Sequence, residues 1–275
     1  MRRPRPKRQT AAAQRAAKES RLGWLRIAGV AAGVVGVALL YFSVTRGNRA
    51  LDENLCPTTP SSITVLLVDV TDPLTVAQRQ DFQNQLIRLR NSIPRFGKLI
   101  VAKVDSTSSS LLDPVIIRCN PGTAEDANEW TGDPKGLEKQ YREGFEEPLE
   151  RVFTGLSQAS GADRSPIFES VQSVALTELL TPDAVDHPRR LVIASDLLQN
   201  TETLTFYSGL PSQEAFIASP AFRRVRSDLR GVEVEIWMLE RSDAPRTQPR
   251  ALVDLWDRAI AEQGATVGRV YNVSG

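Results

Sequence analysis

The sequence predicts an α/β fold: a three-layer sandwich around a mostly parallel sheet with one antiparallel edge strand, preceded by a single transmembrane helix. Apolar runs at 63–69 and 190–195 are typical of strands that are buried on both faces of a parallel sheet. Amphipathic segments such as 75–92 separate the strands, and this alternation favours helices on both faces of the sheet. The uncharged stretch 27–44 is close to the ~20 apolar residues that a membrane-spanning helix needs.

The amino-terminal region predicts a membrane anchor. Residues 1–26 contain nine Lys or Arg and one acid, Glu19, and would form a basic cytoplasmic tail under the positive-inside rule. We expect a transmembrane helix over 27–45, because the apolar stretch exceeds a signal-peptide core of roughly 7–15 residues and no A-x-A-like site follows it. The protein would then be a single-pass inner-membrane protein with its C-terminal domain periplasmic or extracellular.

Two features of the anchor and of the exported part bear on partners. Gly29 and Gly33 form a GxxxG pattern that can bring two helices together as a homodimer, although Gly/Ala-rich spans also contain this spacing without dimerising.

Residues 46–61 are polar and predict a stalk, and 62–275 predict one domain with a sizeable core. The chain outside the tail contains 25 basic and 32 acidic residues, and this excess of negative charge argues against a nucleic-acid partner.

Periodicity and turn signals predict six strands and five helices after the stalk. The strands are expected at 63–69, 98–105, 114–119, 190–195, 232–239 and 266–273. The helices are expected at 75–92, 134–157, 165–180, 212–229 and 247–263. A short Ser-rich turn precedes 114–119, so this strand is expected to run antiparallel to its neighbour. Pro166 suits a first helical position, which makes Ser165 the expected N-cap of the third helix.

Polar side chains follow two of the buried strands. Asp69 ends the first strand, Thr71 comes two residues later, and Asp196 follows the fourth strand. The carboxyl ends of strands in an open α/β sheet border the ligand crevice, and carboxylate and hydroxyl oxygens are ligands for a hard cation. The alternative is structural: Asp69 caps a turn and Thr71 caps the next helix.

The order of the elements and three of their loops resemble the von Willebrand factor A (VWA) family. That family carries a metal-ion-dependent adhesion site (MIDAS), built from D-x-S-x-S after the first strand, a Thr in a later loop and an Asp after the fourth strand. The resemblance implies that Asp69, Thr71, Ser165 and Asp196 hold a divalent ion such as Mg²⁺. Pro73 departs from the pattern, since it has no side-chain oxygen, and a degenerate site without metal is the alternative.

The two cysteines occupy compatible places in this scheme. Cys56 lies seven residues before the first strand, and Cys119 ends a strand that runs back to the same side of the sheet. In an oxidising compartment they would form a disulfide. The alternative is two unrelated buried thiols.

The sequence favours a binding module over an enzyme. The single histidine, His187, precedes the fourth strand and so lies away from Asp69, which excludes Ser-His-Asp and Cys-His constellations there. No P-loop and no G-x-G-x-x-G motif is present. The alternative is a divergent hydrolase that uses Asp69 at the strand end, although a haloacid dehalogenase pattern would need Asp where Thr71 stands.

One long loop is expected to contact a protein partner. Residues 197–211 follow Asp196 and contain Phe206 and Tyr207, and aromatic side chains beside a polar crevice are typical anchors for a partner. The same two side chains would pack against their own loop in the alternative interpretation. The expected function is therefore that of a membrane-anchored protein-binding or scaffolding module with metal-assisted binding left open.

Overall fold

The computed structural model describes residues 28–39, 51–69, 73–104, 112–127, 132–156, 164–241 and 248–273. The chain divides into two compact units, Met1–Arg49 and Ala50–Gly275, and each is described by itself. In the first unit, residues 28–39 form helix α1.

The first unit does not support the predicted membrane anchor. Among the parts of the chain that the structure describes, no helix combines the length and the apolar character needed to cross a bilayer. This finding contradicts the transmembrane helix expected over 27–45 and the single-pass location deduced from it. The tail over 1–26 lies outside the described residues, and the dimer contact through Gly29 and Gly33 stays a prediction.

The second unit is built on a six-stranded sheet in the order β3-β2-β1-β4-β5-β6. The strands are β1 (Ile63–Val68), β2 (Lys98–Lys103), β3 (Ile116–Cys119), β4 (Arg189–Ser195), β5 (Val232–Leu239) and β6 (Thr266–Val273). All pairs are parallel except β2 with β3. The predicted fold class, with its antiparallel edge strand, is confirmed.

The strand order creates a switch point in the middle of the sheet. The chain adds β2 and β3 on one side of β1 and then returns to add β4, β5 and β6 on the other side. Ile63 of β1 consequently aligns with Lys98 on one side and with Arg189 on the other. In open α/β sheets, the loops at the carboxyl ends diverge at this point and leave a crevice.

Helices cover both faces of the sheet. The α-helices of the second unit are α2 (Val76–Ser92), α3 (Pro134–Tyr141), α4 (Glu147–Leu156), α5 (Ile167–Val174), α6 (Gln213–Ala218), α7 (Pro220–Val225) and α8 (Arg250–Glu262). A capping box starts α2: the N–H of Gln78 donates to Thr75 Oγ1 at 3.2 Å, and the N–H of Thr75 donates to Gln78 Oε1 at 3.0 Å. The N-cap of this helix is therefore Thr75, and not Thr71 as in the structural alternative.

A hydrophobic core lies on each face of the sheet, between the sheet and the helices that cover it. Because side chains alternate along a strand, Val65 and Leu67 of β1 face one core and Leu66 and Val68 face the other. An aromatic cluster fills the first core and consists of Phe168, Phe206, Phe216, Phe222 and Trp256. The Phe168 and Trp256 rings stack with their centroids 3.8 Å apart. In the second core, Phe82 of α2 meets Trp237 of β5 edge to face.

Prolines explain the helices that differ from prediction. The helix expected over 134–157 contains a π-helical turn, Arg142–Glu146, that ends two residues before Pro148, which lacks the N–H that would continue the regular ladder. The helix expected over 212–229 is two short helices, because Ser219 before Pro220 is extended, with ψ 149°. The helix expected over 165–180 begins at Ile167 and ends in a second π-helical turn.

A disulfide closes the amino-terminal edge of the domain. Cys56 and Cys119 are bonded, with their Cα atoms 4.8 Å apart, so the predicted pairing is confirmed. The N–H of Cys119 also donates to the carbonyl of Asn54 at 3.0 Å. The stalk was expected over 46–61, but its described part, 51–61, belongs to the compact unit and is fastened to β3 by these contacts.

Candidate functional site

The candidate site lies at the switch point, where β1 and β4 end side by side. Asp69 directly follows β1, and Ser195 and Asp196 are the last residue of β4 and the next one. The N–H of Asp69 donates to the carbonyl of Ala194 at 2.8 Å, which holds the two strand ends together. Asp69, Ser195 and Asp196 are all buried.

Ser165 reaches this point from the loop before α5. Its backbone pairs with Asn200 in both directions, N–H to carbonyl, at 2.9 Å each. This pairing joins the loop before α5 to the loop after β4 and directs the Ser165 side chain toward β1. Its hydroxyl donates to Asp69 Oδ2 at 2.5 Å, so Ser165 is a partner of Asp69 and not the N-cap that the sequence suggested.

Ser195 is a site residue that the sequence analysis missed. Its hydroxyl donates to Asp69 Oδ2 at 3.2 Å and accepts from the N–H of Leu197 at 2.9 Å. Leu197 has a φ of 64°, so the chain turns sharply after β4 and brings this N–H back toward the strand end. A Ser directly before the predicted strand-end Asp was the available signal.

Asp196 has a cationic partner. Its Oδ1 accepts from the N–H of Leu198 at 2.9 Å, which closes a local turn. Its Oδ2 lies 3.5 Å from Arg241 Nη1, and the two side chains are only 8% and 16% exposed. Arg241 follows β5, and nothing in the local sequence marks it as a partner of Asp196.

Gln248 fixes Arg241 relative to the strand ends. The N–H of Arg241 donates to Gln248 Oε1 at 2.6 Å. The Gln248 amide in turn donates to the carbonyls of Asp196 and Leu239 at 3.0 Å each. We call Asp69, Ser165, Ser195, Asp196 and Arg241 the switch-point cluster.

The two aromatic residues expected to contact a partner differ in exposure. Phe206 is 2% exposed and packs into the aromatic cluster, which corrects its assignment as a partner-binding residue. Tyr207 is 44% exposed. Its hydroxyl accepts from Arg241 Nη1 at 2.5 Å, and the guanidinium carbon lies 5.6 Å from the ring centroid. Tyr207 thus lies on the surface beside the switch-point cluster.

The predicted metal ligands are only partly brought together. Asp69 and Ser165 are in direct contact, Asp196 adjoins them through Ser195, and Thr71 lies outside the described residues. Within the described ranges, no group of three or more His, Cys, Asp or Glu side chains is placed to hold a metal ion. Asp196 already has the Arg241 guanidinium beside it, and a second cation there would be repelled. These residues do not fit a divalent ion at Asp196.

Comparisons with known proteins agree with the fold class only. No family model and no curated protein matches the sequence. Among solved structures, proximal thread matrix protein 1 from the mussel byssus has a TM-score of 0.40 at 11% identity, covering 78% of this chain and 44% of that protein. An aerotolerance-related membrane protein from Bacteroides fragilis has a TM-score of 0.40 at 9% identity, covering 78% and 92% of the two chains.

The VWA domain of SpRpn10 is also similar, with a TM-score of 0.38 at 10% identity over 77% of this chain and 87% of that one. A further structure of the mussel protein has a zinc-occupied MIDAS motif, which is a property of that protein. Scores and identities this low carry no argument about ligands, partners or location. The assignment of a VWA-like fold rests on the sheet order and the antiparallel edge strand described above.

Proposed function

We propose that the domain is a protein-binding or scaffolding module whose partner docks at the carboxyl edge of the sheet, over Tyr207 and the switch-point cluster. The location supports this proposal, because ligands of open α/β sheets bind at switch points beyond the carboxyl ends of the strands. Residues from four parts of the chain meet there, after β1, before α5, after β4 and after β5, which provides a composite surface.

The observation that carries the proposal is an exposed tyrosine that contacts an arginine whose side chain is only 16% exposed. Tyr207 is 44% exposed, whereas Arg241, which contacts its hydroxyl and lies near its ring, is largely buried against Asp196. Tyr and Arg are enriched among the residues that dominate binding energy at interfaces. A side chain that is already fixed loses little entropy when a partner binds, so this pair is suited to docking.

A catalytic role for Asp69 is less well supported than binding. A nucleophilic carboxylate must reach its substrate, but Asp69 is 3% exposed and its Oδ2 accepts hydrogen bonds from Ser165 and Ser195. We therefore propose that the chain is not an enzyme. Phosphoester hydrolysis by the purified domain that disappears in Asp69→Asn would overturn this part of the proposal.

Site-specific photo-crosslinking tests the docking surface. A photoreactive phenylalanine analogue at position 207 should give a discrete protein adduct in cells that express the full chain. Val185 is the matched control, since it is 45% exposed but lies in the turn before β4, at the opposite edge of the sheet. The same analogue at 185 should not give this adduct. Equal adducts at both positions, or none at 207, would contradict the proposed surface.

A further inference from the structure

Two carboxylates are buried at neighbouring strand ends in the switch-point cluster. Asp69 and Asp196 are 3% and 6% exposed. The hydrogen bond from the Asp69 N–H to the carbonyl of Ala194 fixes the two strand ends against each other. Ionised carboxylates in such a place repel each other and lose hydration, so they require hydrogen-bond donors or a cation.

The chain itself supplies both hydrogen-bond donors and a cation to these carboxylates. Asp69 Oδ2 accepts from the hydroxyls of Ser165 and Ser195. Asp196 Oδ1 accepts from the N–H of Leu198, and Asp196 Oδ2 faces Arg241 Nη1 at 3.5 Å. Hydroxyls and backbone N–H groups contribute dipoles but no net charge, whereas Arg241 contributes a full positive charge beside Asp196.

Arg241 is held in place by the surrounding structure. Its backbone is bonded to Gln248, which also bonds the carbonyl of Asp196, and its guanidinium bonds the Tyr207 hydroxyl. The side chain is 16% exposed, in contrast to ordinary surface ion pairs such as Arg258 with Glu262, which has the same 3.5 Å separation but exposures of 55% and 35%. A fixed and poorly hydrated guanidinium interacts strongly with a nearby carboxylate.

We infer that Arg241 is the resident cation of this site and takes the role that a divalent metal ion would otherwise have. A metal ion bound to Asp196 would lie beside the guanidinium, and two positive charges at this range repel strongly where water is scarce. The domain therefore folds and keeps its switch-point geometry without divalent cations. This inference concerns stability and metal binding, and it stands whether or not a partner docks on the same edge.

Thermal melting of matched variants tests the role of Arg241. Arg241→Met should lower the midpoint by about 5–10 °C, because it leaves Asp196 buried without its cation. The control Arg258→Met should change it by no more than about 2 °C, since exposed pairs contribute little. Asp196→Asn in the Arg241→Met background should recover part of the loss, because the uncompensated charge is gone. Equal effects of the two Met variants would overturn the inference.

Metal binding to the wild-type protein provides a second test. The midpoint of the wild-type chain should be the same in millimolar Mg²⁺ and in EDTA. The electron paramagnetic resonance signal of free Mn²⁺ should also be equal in the presence of the wild-type chain and of Asp196→Asn. A midpoint that rises with Mg²⁺, or a loss of the Mn²⁺ signal that Asp196→Asn abolishes, would contradict Arg241 as the resident cation.

Discussion

Ser195 illustrates how the switch point depends on single side chains. Its hydroxyl donates to Asp69 and accepts from the N–H of Leu197, so one residue satisfies both a buried carboxylate and a buried backbone group. Ser165 donates to the same carboxylate oxygen from another loop. Buried polar groups that lose a partner retain the full penalty of desolvation, so these contacts should be visible in the stability of the domain.

Removing either hydroxyl should therefore destabilise the fold. We expect Ser165→Ala and Ser195→Ala each to lower the free energy of unfolding by about 1–3 kcal/mol. Ser208→Ala, at an exposed position in the same loop region, should stay within about 0.5 kcal/mol of the wild type. Urea unfolding followed by tryptophan fluorescence measures all three. Losses at 165 and 195 no larger than at 208 would show that these hydroxyls do not support Asp69.

Some of these residues could be predicted from sequence and others could not. Asp69 and Asp196 stand directly after buried apolar runs, so the strand pattern alone places them at the carboxyl edge. Arg241 pairs with Asp196 only because β5 lies beside β4 and Gln248 fixes the chain after it, a tertiary arrangement without a local signature. Phe206 and Tyr207 are adjacent, and no sequence pattern distinguished the buried ring from the exposed one.

At the scale of elements, strands were more predictable than helices. β5 and β6 begin and end where the sequence placed them, and β1 differs by one residue. For β1 and β5 the reason is that apolar runs bounded by polar turns define buried strands closely. Helices were predicted as continuous where prolines divide them, as at Pro220. The residue before a proline is disfavoured in the α region, so this break could have been predicted from the sequence.

The disulfide links the segment before β1 to the end of β3 at the amino-terminal edge, and its loss should be measurable. It closes a separation of 63 residues between Cys56 and Cys119. The double variant Cys56→Ser/Cys119→Ser should lose about 3–4 kcal/mol, equivalent to a melting midpoint lower by roughly 6–15 °C.

Scanning calorimetry of the double variant and of the wild type, with and without reductant, checks this expectation. Intact mass after alkylation confirms the thiol state of each sample. A wild-type midpoint that is unchanged when both thiols become alkylated on reduction would contradict a stabilising role.

At the scale of the whole molecule, the sheet order determines where function can be located. The order β3-β2-β1-β4-β5-β6 puts the switch point between β1 and β4, and the loops that follow these strands carry the buried carboxylates. The disulfide lies at the opposite edge, away from the candidate docking surface.

The predicted α/β class and disulfide are confirmed, whereas the predicted membrane span is contradicted. The span was inferred from composition alone, without packing information.

Docking at the switch point is tested by the affinity of the adduct partner, once purified, for variants at the two edges of the sheet. Isothermal titration calorimetry should show a roughly 10- to 100-fold weaker complex with Tyr207→Ala, as expected for a central interface residue. Val185→Ala should bind like the wild type, because it removes a side chain of nearly equal exposure from the opposite edge. Unchanged affinity of Tyr207→Ala, or an equal loss in Val185→Ala, would contradict docking at the switch point.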